Sequence, residues 1–194
     1  MSPLYLAAGF LAAFAARALW RAAASSRPVT ADGPSRADQR LYEAVQRRDV
    51  TAAAEALVYG ASASYARVDR WDYGRCSEPV LHMACKQHDL EMVELLLGYG
   101  ANPDAQYEKE AGSYFEYEPC VHAVLVGPIP DYTPEQGRVT PRPVEIMSLL
   151  LERGANPNAT YRDRDDCYRE FTLLGSARNN PELVALLERY GARE

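Results

Sequence analysis

His82-x-x-Cys85-x-x-His88 is where metal-ligating side chains recur at helical spacing. Residues three apart lie on one helix face, so the run would present two imidazoles and a thiol on one side. The rest of the chain offers little to join them. Cys76, Cys85, Cys120 and Cys167 are scattered, with no Cys-x-x-Cys pair, and read as reduced thiols. Asp163-Arg-Asp-Asp166 has the carboxylate density of a calcium loop but lacks the Gly and the later Glu that such a loop uses. Asn158-Ala-Thr160 is a glycosylation acceptor only in a lumenal domain. No Gly-rich phosphate loop, nucleophile elbow or carboxylate pair at a shared-site spacing occurs. The chain reads as a non-enzyme without cofactor or metal.

The elements that carry these residues are marked by one phrase written four times. It reads Leu57-Val-Tyr-Gly60-Ala61, Leu97-Gly-Tyr-Gly100-Ala101-Asn-Pro-Asp104, Leu151-Glu-Arg-Gly154-Ala155-Asn-Pro-Asn158 and Glu188-Arg-Tyr-Gly191-Ala192. Each copy closes an apolar run at helical spacing, such as Leu90, Met92, Val93, Leu95, Leu96 and Leu97. Glycine ends such a helix because it takes the left-handed conformation without a Cβ clash. A shorter helix precedes each run, and Asp49, Asp89 and Asn180 stand where the second helix of a pair needs its N-cap.

Pro79-Val-Leu-His-Met-Ala84, followed by Leu90-Glu-Met-Val-Glu-Leu-Leu-Leu-Gly-Tyr-Gly-Ala101, resembles the ankyrin repeat, whose first helix opens Thr-Pro-Leu-His-x-Ala. Pro119-Cys-Val-His122-Ala-Val124 opens a third copy, while the first and fourth have Tyr42 and Leu173 where the family places His. The resemblance covers roughly residues 38–194. It implies an all-α solenoid of about four helix pairs, here with extended hairpin loops, and an N-terminal apolar helix is expected ahead of it. It also implies a structural, hydrogen-bonding role for His82 and His122, and protein recognition as the function.

The four glycines are 40, 54 and 37 residues apart, against roughly 33 for a standard unit. The extra residues fall between helix pairs, as long fingers, and in an irregular Pro-rich insert from Leu125 to Pro141. The fingers hold Tyr65, Trp71, Tyr73, Tyr107, Tyr114, Phe115, Tyr117, Tyr161 and Tyr168 among many charges. Aromatic side chains supply many interface hot spots, so these nine are the expected partner-binding residues. Packing on each other to stiffen the fingers is the alternative.

The net charge is −6, and Arg17, Arg21 and Arg27 ahead of the first acid leave −9 on the remainder. That disfavours nucleic acid. Glu108, Glu110, Glu116 and Glu118 against Lys109 in the middle finger point to a basic protein partner, the array itself being a monomer. A structural spacer without a specific partner is the other reading.

The N-terminus carries no charge from Pro3 to Ala16. Leu4, Leu6, Phe10, Leu11 and Phe14 make it apolar, and Arg17, Trp20 and Arg21 would mark an interface. Residues 3–20 as a helix reach about 27 Å, near a hydrocarbon core. Residues 1–24 are expected to form a membrane anchor, with 25–37 a flexible linker and 38–194 the repeat domain on the cytosolic side. A mitochondrial presequence, leaving an organelle-targeted soluble protein, a cleaved secretory signal, and a soluble helix or disordered segment on a cytoplasmic protein stay open.

Overall fold

The computed structural model describes residues 34–112, 114–126, 142–162 and 170–193. The expected segments at Leu4 to Arg21, Tyr168, the Asp163–Asp166 run and most of the Pro-rich insert lie outside them.

Four helix pairs follow one another: α1 (Arg36–Arg47) with α2 (Val50–Val58), α3 (Val80–Lys86) with α4 (Leu90–Gly98), α5 (Cys120–Val126) with α6 (Pro143–Glu152), and α7 (Leu173–Ala177) with α8 (Pro181–Arg189). The first helices stack on one another as one layer and the second helices as another. One connected core fills the space between, with Leu41, Leu57, Leu81, Met92, Leu96, Ile146, Leu150, Leu173 and Leu187 all buried. Burying each such side chain contributes about 1.5–3 kcal/mol relative to exposure. No pair could bury its apolar face alone.

The repeated phrase has one geometry. Gly60, Gly100, Gly154 and Gly191 all sit at φ between 87° and 96°. The following alanine donates its N–H five residues back each time, from Ala61 to Ala56, Ala101 to Leu96, Ala155 to Leu150 and Ala192 to Leu187, always at 3.0 Å. Asp49, Asp89 and Asn180 cap their helices through side-chain oxygens, as the sequence leads one to expect. The polar residues after each glycine tie one repeat to the next. Asn102 N–H donates to Ser64 Oγ at 3.1 Å, Asn156 N–H to Asp104 Oδ1 at 2.7 Å, and Arg193 N–H to Asn158 Oδ1 at 2.8 Å.

The all-α expectation is wrong. The fingers are β-hairpins, β1 (Ala66–Trp71) with β2 (Gly74–Pro79) and β3 (Gln106–Ala111) with β4 (Tyr114–Pro119). β2 also pairs with β3, Arg75 opposite Glu110 and Ser77 opposite Glu108, so the four strands make one antiparallel sheet in the order β1-β2-β3-β4. A short third hairpin, β5 (Thr160–Tyr161) with β6 (Phe171–Thr172), meets β4 through a single bridge between Tyr117 and Arg162. Strand composition hides this. Arg67-Val-Asp-Arg70 and Gln106-Tyr-Glu-Lys-Glu110 are rich in strand-poor residues. Helix stacking brings consecutive fingers alongside, and their inner edges then saturate each other's backbone groups.

Thr172 caps α7 by accepting the Gly175 N–H at 3.2 Å. Gly175, rather than Leu173, is therefore the third residue of its helix, where α3 and α5 carry His82 and His122. Leu173 lies two places earlier, buried in the core.

Candidate functional site

Strand alternation sorts the finger residues by face. The register puts Arg67, Asp69, Trp71, Cys76, Glu78, Tyr107, Lys109, Tyr114, Glu116 and Glu118 on the side turned toward the first helices. Val68, Arg70, Arg75, Ser77, Glu108, Glu110, Phe115 and Tyr117 are on the other. The base of the helix-facing side is a row of ring–carboxylate contacts. Tyr42 on α1 donates its hydroxyl to Glu78 of the next finger at 3.1 Å, with the Arg67 guanidinium 5.1 Å over its ring. His82 on α3 donates from Nε2 to Glu118 of the following finger at 3.1 Å. Glu118 also accepts from His122 Nδ1 at 2.9 Å and has Lys86 Nζ at 3.6 Å.

Burial alone would raise the Glu118 pKa. Hydrogen bonds from His122 and His82, with the charges of His82 and Lys86, outweigh it and hold the carboxyl well below its usual range. Glu118 is thus a half-buried carboxylate that joins the second and third repeats. The Tyr42 phenol is pushed up to about 12, by burial first and then by Glu78.

Rings extend the row on both sides. Tyr107 stacks on His82 with centroids 5.6 Å apart, Tyr161 stacks on His122 at 3.3 Å, and Phe171 stacks on the other side of Tyr161 at 5.0 Å. Beside Tyr161 lies a cavity of about 440 Å³, lined by Lys86, Glu116, Glu118, His122, Leu125, Val126, Tyr161, Arg162 and Ser176.

The helix periodicity that suggested a metal site does not bring its three residues together. His82 faces Glu118, His88 donates Nε2 to the Val124 carbonyl at 2.9 Å, and Cys85 is packed beside the buried Cys120. Among the described residues no cluster of three or more His, Cys, Asp and Glu is placed to hold a metal. Burial drives the Cys120 thiol well up and, with less force, the Cys76 thiol, whose partner is the Tyr107 hydroxyl. Neither is a ready thiolate.

The expected partner-binding aromatics divide into groups. Tyr107 and Tyr161 are stacked into the row just described. Phe115 and Tyr117 touch each other on the far face, where Arg162 lies 5.6 Å over the Tyr117 ring. Tyr65 packs partly against the core. Trp71 and Tyr73, at 43% and 82% exposure, stand at the tip of the first finger, and Tyr114 is on the helix-facing side, its hydroxyl on Glu116 at 3.0 Å. The acids divide too. Glu110 and Glu108 meet Arg75 at 2.9 and 3.9 Å on the far face. Glu116 and Glu118 both line the cavity, and Glu118 is engaged by the two histidines. Sequence reasoning missed Glu78 and Glu118 as structural anchors. Their signal is the pair Glu78-Pro79 and Glu118-Pro119, in which each Glu stands four residues ahead of a helical histidine.

The ankyrin repeat family model matches residues 79–107, which span α3, α4 and the start of β3. Those residues carry an ankyrin repeat. No curated protein matches the chain. Ankyrin repeats generally mediate binding of protein partners, and their family is typically non-enzymatic. Among the described residues no helix is long and apolar enough to cross a membrane.

Proposed function

We propose that this ankyrin array recognises a basic protein segment through the helix-facing side of its finger sheet, and that residues 3–20 tether it to a membrane. The observation that carries the first part is the open cavity beside Tyr161, at the foot of a sheet face that also presents Trp71, Tyr114 and Glu116. A rigid row of rings supports it from beneath, and preorganised aromatics lose little freedom on binding. Glu116 and the exposed Asp69 supply negative charge for a lysine or arginine of the partner.

The test compares partner recovery between faces. Changing Trp71, Tyr114 and Glu116 to Ala should abolish recovery of a bound protein, while Phe115→Ala on the far face should leave it intact. Equal recovery from both variants, each with an unchanged circular dichroism spectrum, would favour the passive spacer. The tether rests on the uncharged stretch from Pro3 to Ala16. Retention of the full chain in the pellet after alkaline carbonate extraction is the expected result, and release would remove the anchor.

A further inference from the structure

β1 is the terminal strand of the four-stranded sheet, with β2 on one side and no described strand on the other. Five of its six residues are exposed. The Val80 N–H donates to the Tyr65 carbonyl at 2.9 Å, and Trp71 faces Gly74 across the two-residue hairpin loop. Backbone groups alternate in direction along an antiparallel strand. Tyr65, Arg67, Asp69 and Trp71 therefore aim theirs at β2, while Ala66, Val68 and Arg70 aim theirs outward. Pro79, which has no N–H, stands opposite Ala66, as this alternation requires.

We infer that the free edge of β1 pairs antiparallel with β1 of a second copy of this chain, about a two-fold axis through Val68. Only outward-aimed residues can exchange hydrogen bonds, so a self-pairing must match Ala66, Val68 and Arg70 among themselves. Shifting the axis one place back sets Arg67 against Arg67 of the second copy, and one place on sets Asp69 against Asp69. Like charges directly opposite are unfavourable. With the axis at Val68 the backbone bonds join Val68 to the second copy's Val68 and Ala66 to its Arg70. The closer, non-hydrogen-bonded pairs, about 4.5 Å between Cα atoms, then set Arg67 against the second copy's Asp69 twice over. Tyr65 falls opposite the second copy's Trp71 at each end. Backbone direction and side-chain charge select the same register. The Arg67–Asp69 contact at 3.1 Å within one strand places both heads on the side where the second copy's pair would meet them.

A six-residue edge is smaller than a standard stable interface, so the association is a weak, concentration-dependent one, departing from the monomer expected of the array. The test is sedimentation equilibrium on the full chain over a wide concentration range, reading the mass against 21.6 kDa for one chain. The wild type should climb toward twice that mass. Val68→Lys, at a position 47% exposed and outside the core, should stay at one chain with its fold intact. Arg67→Asp alone presents two acids and Asp69→Arg alone two arginines, so each should stay single. Mixed in equal amounts they are complementary and should associate as the wild type does. No contact within one chain is restored by mixing, so recovery there reports the edge itself. A wild type that remains at one-chain mass throughout overturns the proposal. So does a dimer that all three variants leave unchanged, or a mixture that stays apart while the wild type dimerises.

Discussion

His82 and Glu118, 36 residues apart, meet at 3.1 Å with the imidazole Nε2 on the carboxylate. Tyr42 and Glu78, also 36 apart, make the corresponding contact one repeat earlier. Each joins a first helix to the finger of the following repeat, so the row fixes finger position relative to the helix stack. The His82–Glu118 contact is the stronger, since Glu118 is only 14% exposed at its side chain and has two imidazoles and an ammonium around it. Replacing it by Gln removes the charge and turns one of the two acceptor oxygens into an NH2 facing a donor. Glu118→Gln is expected to destabilise the array by about 2–3 kcal/mol and Glu78→Gln by about 1 kcal/mol. Urea unfolding followed by circular dichroism measures both. Equal losses would mean that the shared carboxylate contributes no more than a single contact.

The same groups set the pH dependence. The Glu118 pKa is lowered by folding, so its stabilisation is complete above the ordinary 4.5 and is lost as pH falls below that value. The His88 pKa is lowered too, chiefly by burial, so its share is complete above 6.5 and declines as pH falls through that region. Tyr42 is raised to about 12, so its share is present below 10 and is lost as pH rises through the folded value. Melting temperature should therefore fall on the acid side in two stages, and again at high pH. His88→Gln should flatten the upper acid stage and Glu118→Gln the lower one. Variants that reproduce the wild-type profile would assign the acid loss to other groups.

His88 and Arg48 hold a left-handed backbone, φ 54° and 58°, without being glycine. Both turns close with a bond from the next residue, Asp89 to Ala84 and Asp49 to Ala44. The strain, about 1–2 kcal/mol, is offset by side chains that reach the adjacent repeat: His88 to the Val124 carbonyl and Arg48 to the Gln87 carbonyl. His88→Gly loses the bond but relieves the backbone, whereas His88→Ala loses the bond and keeps the strain. The alanine variant should be the less stable by about 1 kcal/mol. Gly100→Ala isolates the backbone term, because a Cβ there meets nothing within 4 Å while φ is 89°. Denaturant titration of the three proteins gives the comparison.

The helical scaffold was legible because its signals are local. Gly60, Gly100, Gly154 and Gly191 end helices through their own φ, and Asp49, Asp89 and Asn180 bond N–H groups two or three residues away. The sheet was not, because β2 and β3 pair through residues 31 to 37 apart, and Arg75 and Glu110 carry no strand preference that would announce it. The candidate site was legible only in part. Tyr107 and Tyr161 stood out as aromatics, but their partners are histidines that sequence reasoning had assigned to repeat structure, and the acid between those histidines read as one of four finger charges. Gly175 displaced Leu173 from the histidine position because Thr172 starts its helix, a choice made by one cap bond.

Gly74 decides whether two fingers behave as one sheet. A Cβ built there runs into the Glu110 carbonyl oxygen and sits 2.9 Å from the Trp71 ring and 3.0 Å from Ala111 Cα. Two of these neighbours are backbone of the adjacent finger, which cannot swing aside as a side chain does. Next to it the Gly112 N–H donates to the Tyr73 carbonyl at 2.8 Å, a second tie between the tips. Gly74→Ala should therefore part the tips of the two hairpins while sparing the helix core, which lies far along the strands from this residue. Amide exchange at Gly112 and Ala111 should quicken by roughly tenfold or more, equivalent to about 1.4 kcal/mol of lost protection. Amides of Leu96 and Leu150, deep in the second helices, should keep wild-type rates. Unchanged exchange at Gly112 would mean that the fingers hold together through the pairs beyond Gly74 alone, Arg75 with Glu110 and Ser77 opposite Glu108.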